Sequence, residues 1–280
     1  MRPCSRLAAA LALVLACAPV PLLAQEVADQ RPALALMGTV PIYWGEAAGI
    51  DDVLAGTAHR HWARAELERD FALVPLDYLS AEALAGQTTL LMAQPRGLSA
   101  EENVALDAWV RQGGRLLLFA DPLMTGESRF PLGDRRRPQD VALLSPLLAR
   151  WGLELTFDEV QPAGPQLADH FGDPLPVQMR GVWRDLGTTR ECAIPGDGLL
   201  AHCVIGAGQV LLVADAAMLD IDGPREHAVA ALHWLVEHGL GMTREMARDS
   251  AGESTPQGEN ASISGTYRAP DAHGGHDSSP

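Results

Sequence analysis

The chain has 280 residues, 47% of them hydrophobic, enough to bury a full core in one or two domains. Its formal net charge of -15, from 36 acidic against 21 basic side chains, excludes generic nucleic-acid binding. That binding neutralises phosphates with clustered cations, and the one basic run, Arg135-Arg136-Arg137, is isolated and reads as a solvated loop.

The first 24 residues read as a secretory signal. Arg2 and Arg6 precede an apolar stretch from Leu7 to Cys17, and Pro21-Leu22-Leu23-Ala24 supplies a cleavage site before Gln25-Glu26. The alternative is lipid attachment at Cys17, at the end of Val14-Leu15-Ala16-Cys17. No later apolar run approaches the ~20 residues a membrane span requires. The expected mature protein is therefore periplasmic, without a transmembrane helix, and soluble or lipid-anchored.

Residues 33–40 read as a first strand leading into Pro41-Ile42-Tyr43-Trp44-Gly45-Glu46. A helix is predicted from His61 to Asp70, with Trp62, Ala65 and Leu67 turned to the core, and a strand from Phe71 to Asp77. A short helical turn near Ser80–Ala85 follows. The organising stretch is residues 88–122. The apolar run Leu90–Ala93 stops at Gln94-Pro95, and Ser99 sits three residues before Glu102, the spacing of a capping box. Val104, Leu106, Trp109 and Val110 then mark one helical face, and Gly113-Gly114 end the helix. A second apolar run, Leu116–Ala120, ends at Asp121-Pro122. Strands this uniformly apolar belong to a parallel sheet covered on both faces.

Past a polar loop at 124–138, Val141–Trp151 reads as a helix with Leu143, Leu144, Leu147 and Leu148 inward, and Leu153–Phe157 as a strand. The proline- and glycine-rich stretch 160–176 predicts an irregular excursion. Short strands near 176–183, 189–194 and 199–205 predict a small antiparallel β insertion over 176–205. Val210–Ala214 is a second buried strand, ending at Asp215; Pro224 opens a last helix, which Gly239 stops. The predicted class is α/β, a doubly wound, mainly parallel sheet of Rossmann or flavodoxin type spanning 30–243. Residues 244–280 have the composition of a disordered tail.

Cys192 and Cys203 flank the turn signal Pro195-Gly196-Asp197-Gly198, which would set the sulfurs opposite each other. In an oxidising compartment they form a disulfide; two small buried thiols are the alternative. Ligands of open α/β sheets sit beyond the carboxyl ends of the strands. Those ends carry Tyr43, Trp44, Glu46, Asp77, Gln94, Asp121 and Asp215; we take Tyr43, Trp44, Glu46, Gln94, Asp121 and Asp215 as the candidate ligand cleft. Asp121 and Asp215 have a competing explanation as turn and helix caps. Motifs for catalysis are missing. No G-x-S-x-G elbow, phosphate loop or G-x-G-x-x-G cradle follows a strand. Lysine is absent, which leaves an aspartyl nucleophile without a partner cation of that type. His59 and His61 are the nearest approach to a metal pair, yet residues two apart diverge on a helix. No cofactor or metal is expected.

Leu91-Met92-Ala93-Gln94-Pro95, Leu98-Ser99-Ala100-Glu101-Glu102, Trp109–Leu116 and Phe119-Ala120-Asp121-Pro122 resemble the extracytoplasmic domain of gliding-motility-type ABC transport auxiliary proteins. Leu143–Leu153 with Asp158, and Val213–Leu219 ahead of His233-Trp234-Leu235, resemble that family's later segments, so the likeness covers roughly 33–240. The family is related in fold to class I glutamine-amidotransferase-like domains. Those relatives use a Cys nucleophile; the matching position here is Asp121, with no cysteine nearby. Members commonly carry membrane helices, and this chain shows only the amino-terminal signal. The resemblance implies a non-catalytic binding or scaffold domain. The expected function is an exported accessory to an ABC-type envelope transport system, partnered by transport or assembly proteins and a small ligand. A periplasmic hydrolase using Asp121 and Asp215, with His59 or His61, is the alternative.

Overall fold

The computed structural model describes residues 31–46, 51, 54, 60–126, 128, 130–131, 133–170, 173–220 and 226–241. The segment expected to be a signal, with Cys17, lies outside them, as do His59, Pro224 and the residues from 244 onward. Strand β1 (Ala33–Gly38), helix α1 (Trp62–Leu67) and strand β2 (Ala72–Pro75) open the fold, followed by α2 (Ala81–Leu84). His61 is the N-cap of α1; its faces differ from expectation, since Ala63 is buried and Ala65 is exposed.

The stretch predicted as strand–helix–strand is β3 (Thr89–Ala93), α3 (Ala100–Arg111) and β4 (Arg115–Phe119). The capping box forms in full: Glu102 N–H donates to Ser99 Oγ, and Ser99 N–H donates to the Glu102 carboxylate. Leu106 and Val110 carry the buried face of α3, whereas Val104 is exposed. Burial alone would raise the Glu102 carboxyl, but hydrogen bonds from Arg96 and from the Ser99 and Leu79 N–H groups outweigh it and hold the group at about 2. The α2–α3 layer is thus tied down by a charge satisfied on all sides.

Helix α4 (Ser145–Arg150) leads to β5 (Leu153–Phe157). It is shorter than the predicted Val141–Trp151 because Pro146 is tolerated only in a first turn, and Val141 and Leu143 consequently lie on the surface. The 160–176 stretch is partly regular: β6 (Gln166–His170) and β7 (Asp173–Val177) pair antiparallel. Strand β8 (Gly181–Asp185) pairs with β5. The short strand β9 (Cys192–Ala193) pairs with β10 (Leu200–Ile205), which in turn pairs with β11 (Gly208–Val213). The predicted single insertion at 176–205 is therefore divided between two small two-stranded sheets and the edge of the main one. After a 3-10 turn, Ala217–Leu219, helix α5 (Glu226–Leu240) closes the described chain. Gly239, predicted as its stop, lies inside the helix against Leu117 and Leu211. The terminator is Gly241, whose φ of 62° suits the residue type without a Cβ.

The main sheet has seven strands in the order β2-β1-β3-β4-β11-β10-β9. The first five are mutually parallel, and β10 and β9 add antiparallel at one edge. Helix α1 packs with α5, while α3 packs with both α2 and α4, so helices cover the two faces. All of β3 and Leu116–Phe119 of β4 are buried, as parallel strands between helical layers must be. Among the described residues no helix is long and apolar enough to cross a membrane.

Candidate functional site

Strand order reverses beside β1: β2 lies on one side of it, β3 on the other. In doubly wound sheets that is where a crevice opens at the carboxyl edge. In this chain the β1–β3 gap is closed. Gly38 lies so near Ala93 that an added Cβ would stand 2.0 Å from its carbonyl oxygen. Thr39 then donates through N–H and Oγ1 to the Gln94 carbonyl, and Gln139 N–H donates back to Thr39 Oγ1 at 2.7 Å.

Gln94 itself is fully buried, with a φ of 46° in the region most side chains avoid. Its Nε2 donates to the carbonyls of Asp121 (3.0 Å) and Gln139 (2.8 Å), and its Oε1 accepts the Asp121 N–H at 2.8 Å. The side chain thus satisfies three backbone groups where β3, β4 and the 139 loop meet. Asp121, also buried, accepts the Leu123 N–H (2.8 Å) on Oδ1 and the Ala216 N–H (3.1 Å) on Oδ2. Asp215 accepts the Ala217 N–H (2.7 Å) on Oδ1 and the Gln178 N–H (3.0 Å) on Oδ2. Each aspartate stitches its own strand end to a different loop.

The two carboxyls influence each other. Burial raises that of Asp121 against the hydrogen bonds from Ala216 and Leu123. Burial, then the charge of Asp121, drives Asp215 well above the carboxylate range. Nearby, Asp220 is pushed up to about 7 by burial and by the charges of Asp121 and Glu46, against a hydrogen bond from the Gly126 N–H. Sequence reading did not single out Asp220. Its only signal was a place seven residues past the β11 end. His61 Nε2 donates to the Leu219 carbonyl at 2.7 Å, and Nδ1 accepts the Ala63 N–H as N-cap. Both ring nitrogens of His61 are therefore engaged in joining α1 to the 3-10 turn. Among the described residues no group of three or more His, Cys, Asp and Glu side chains is arranged to hold a metal ion.

An open cavity lies one strand over. It occupies about 690 Å³ at the carboxyl ends of β1 and β2, and its lining includes Tyr43, Trp44 and Glu46 but not Gln94, Asp121 or Asp215. The candidate cleft residues thus fall into two sets, one around the cavity and one inside the structure. Within the 40–46 turn, Ile42 N–H donates to Val40 O and Gly45 N–H to Pro41 O, so the turn draws on none of its own side chains for these bonds. Tyr43 is held between the Arg64 guanidinium, 4.3 Å from its ring centre, and the Trp44 ring, edge-on at 4.8 Å. Arg135, Arg136 and Arg137, expected as a solvated loop, line the same cavity, and Phe130 joins them. Chain distance hides this, since about a hundred residues separate the arginines from β1.

The disulfide is present. Cys192 and Cys203 face each other across the β9–β10 ladder with Cα atoms 4.0 Å apart. It pins the two-residue strand β9 to the sheet edge.

Residues 59–167, under half of the chain, match the profile of a family described as an ABC-type uncharacterized transport system. The match runs from just before α1 into β6; it includes Gln94, Asp121 and the arginine run, and excludes Tyr43, Trp44, Glu46 and Asp215. No curated protein matches in sequence. Similar solved structures include an exo-β-1,4-mannosidase from Opitutaceae bacterium strain TAV5, at 15% identity and a TM-score of 0.41. That alignment covers 80% of this chain and 36% of the mannosidase, so the chain spans about a third of that enzyme. The N-terminal domain of mmIFT52 aligns at 14% identity and a TM-score of 0.44, covering 75% of this chain and 98% of that domain. A ThuA-like protein from Bacteroides uniformis aligns at 10% identity and a TM-score of 0.38, covering 77% and 95% of the two chains. Similarities this distant carry no functional information.

Proposed function

We propose that the chain is an exported, non-catalytic α/β domain that serves an ABC-type envelope transport system as an accessory and binds its ligand at the β1–β2 cavity. The observation that carries the binding role is the division of the carboxyl edge. Asp121 and Asp215 spend both carboxylate oxygens on backbone N–H groups, while Trp44 and Arg135 in the cavity lining are exposed to solvent. Association with transport rests on the profile match over 59–167. The narrower kinship, with gliding-motility-type auxiliaries of amidotransferase-like fold, is part of the proposal and is supported by the β2-β1-β3-β4-β11 order, the flavodoxin-like pattern of a doubly wound sheet. Export and a periplasmic site fit the Cys192–Cys203 disulfide, since such bonds persist in oxidising compartments.

A hydrolytic reading draws on the raised carboxyls of Asp121 and Asp215, a frequent mark of acid–base sites. Burial away from the cavity speaks against it, because a catalytic group needs hydrogen-bond reach to its substrate. Crosslinking in intact cells followed by purification of the full chain tests the proposal. Recovery of the membrane subunits of an ABC transporter is expected. A chain recovered uncrosslinked, or one that hydrolyses ester, amide or glycan substrates in a manner abolished by Asp121→Asn, would overturn it.

A further inference from the structure

We infer that the β1–β2 cavity takes a small anionic ring compound, one carboxylate or phosphate carried on a planar body, with Arg135 as charge partner and Trp44 as stacking surface. The inference rests on the reading of this cavity as the ligand site. At about 690 Å³ the space matches a small-molecule site, and Leu36, Val40 and Pro75 give it an apolar floor.

The charges around it are unequally engaged. Arg136 is committed: Nε and Nη2 donate to the Asp134 carboxylate at 3.0 and 2.6 Å, and the guanidinium lies 4.0 Å over the Phe130 ring. Arg137 Nη1 donates to the Phe130 carbonyl at 2.9 Å and Nη2 stands 3.7 Å from Asp140, but its buried Nε has no hydrogen-bond partner. Arg135 is exposed and forms no ion pair among the described residues. On the acidic side, Glu46 accepts a hydrogen bond from the neutral Ser128 Oγ, and Arg96, the cation on which the charge of Asp77 acts, is paired with Glu102. Arg135 is therefore the guanidinium of this lining that has no acidic partner among the described residues, in a chain that contains no lysine, and it shares the cavity with the carboxylates of Glu46 and Asp77. A guanidinium presents a planar fork that matches a carboxylate or phosphate, which a point charge does not.

Trp44 supplies the other half. Its side chain is 55% exposed at the cavity wall, and its T-shaped contact with Tyr43 leaves a ring face open. A planar ligand laid on that face would bury apolar surface that is otherwise wetted, and offset stacking adds to the gain. Neither Trp44 nor Arg135 makes a hydrogen bond among the described residues, so removing either leaves the fold unchanged.

Calorimetric titration of the full chain with phenyl phosphate and with benzoate tests the site, using benzyl alcohol as the neutral ring and inorganic phosphate as the ringless anion. Saturable binding of the two anionic rings is expected, stronger than either control and weakening as salt is added. Arg135→Ala and Trp44→Ala are each expected to weaken it about tenfold. Absence of saturable binding overturns the inference, as does benzyl alcohol binding equally well or an Arg135→Ala variant that binds like the parent. The same two variants separate this from the broader reading. Transporter crosslinking that persists without anionic-ring binding sinks the ligand alone; anionic-ring binding without crosslinking sinks the accessory role.

Discussion

Two stretches of the same sheet edge solve the same problem in opposite ways. At the ends of β3, β4 and β11 the loops reach across from distant parts of the chain, and their backbone groups are satisfied by the side chains of Gln94, Asp121 and Asp215. At the end of β1 the 40–46 turn closes on its own backbone at Ile42 and Gly45, and Trp44 stays exposed at the wall of a cavity. A polar residue at a strand end is thus a ligand candidate only where the backbone near it has no claim on it. Buried peptide groups must be paired, and a fixed loop takes the nearest acceptor first.

The largest break in this contrast is expected at Gln94. Gln94→Ala would leave the Asp121 N–H and the Gln139 carbonyl without their partner, while the Asp121 carbonyl would keep only the Ala142 N–H. The expected loss is ~3–5 kcal/mol, since each buried unsatisfied group costs ~1–3 kcal/mol. Urea unfolding followed by circular dichroism measures it. A loss below ~1 kcal/mol would mean that water substitutes for the amide and that the closed end is not held as described.

Much of the closed end was readable in advance, and its purpose was not. The β3–α3–β4 unit was legible because local signals agreed: unbroken apolar strands, the Ser99–Glu102 box and paired glycines. The Cys192–Cys203 pairing was legible from the turn it flanks. The β6–β7 hairpin was not, because Pro174 and Pro176 argue against a strand; a two-stranded ribbon has outer edges where a missing N–H costs nothing. Gln94, Asp121 and Asp215 were placed at the correct edge, yet the bonds they spend go to residues 139, 178 and 216, which no local pattern brings near. The arginine wall was missed for the same reason. Three arginines in a polar loop look solvated until a distant strand end is set beside them.

A second test addresses the charge trapped at the closed end. Asp220, raised to about 7, holds a proton in the folded chain over a range where the unfolded chain has released it. Asp121 and Asp215, also raised, act in the same direction. Because the folded state binds more protons between about pH 4 and 7, stability falls as pH rises through that window. Glu102, held near 2, works oppositely and withdraws its stabilisation only at lower pH. Asp220→Asn keeps an acceptor for the Gly126 N–H and removes the charge. Near pH 4.5 the variant should match the parent, and at pH 8 it should be more stable by ~1–2 kcal/mol, discounted for partial solvent contact. Thermal melts at the two pH values check this. Equal differences at both would show that Asp220 is not held back from ionising by Asp121 and Glu46.

The smallest effect is expected at the open end. Trp44 is the largest side chain in its turn, and truncating a tryptophan ordinarily damages a fold. Its exposure of 55% means that little burial is lost in Trp44→Ala, and no hydrogen bond among the described residues depends on it. The ring contact surrendered is the edge-on packing against Tyr43, which Arg64 holds from elsewhere. The expected change in unfolding free energy is within ~0.5 kcal/mol, the range of surface substitutions, measured by the same urea titration. A loss of ~2 kcal/mol or more would place Trp44 among the residues that hold the turn together. The distinction between the two ends of the sheet edge would then fail, because Trp44, like Gln94, would already be committed to the fold.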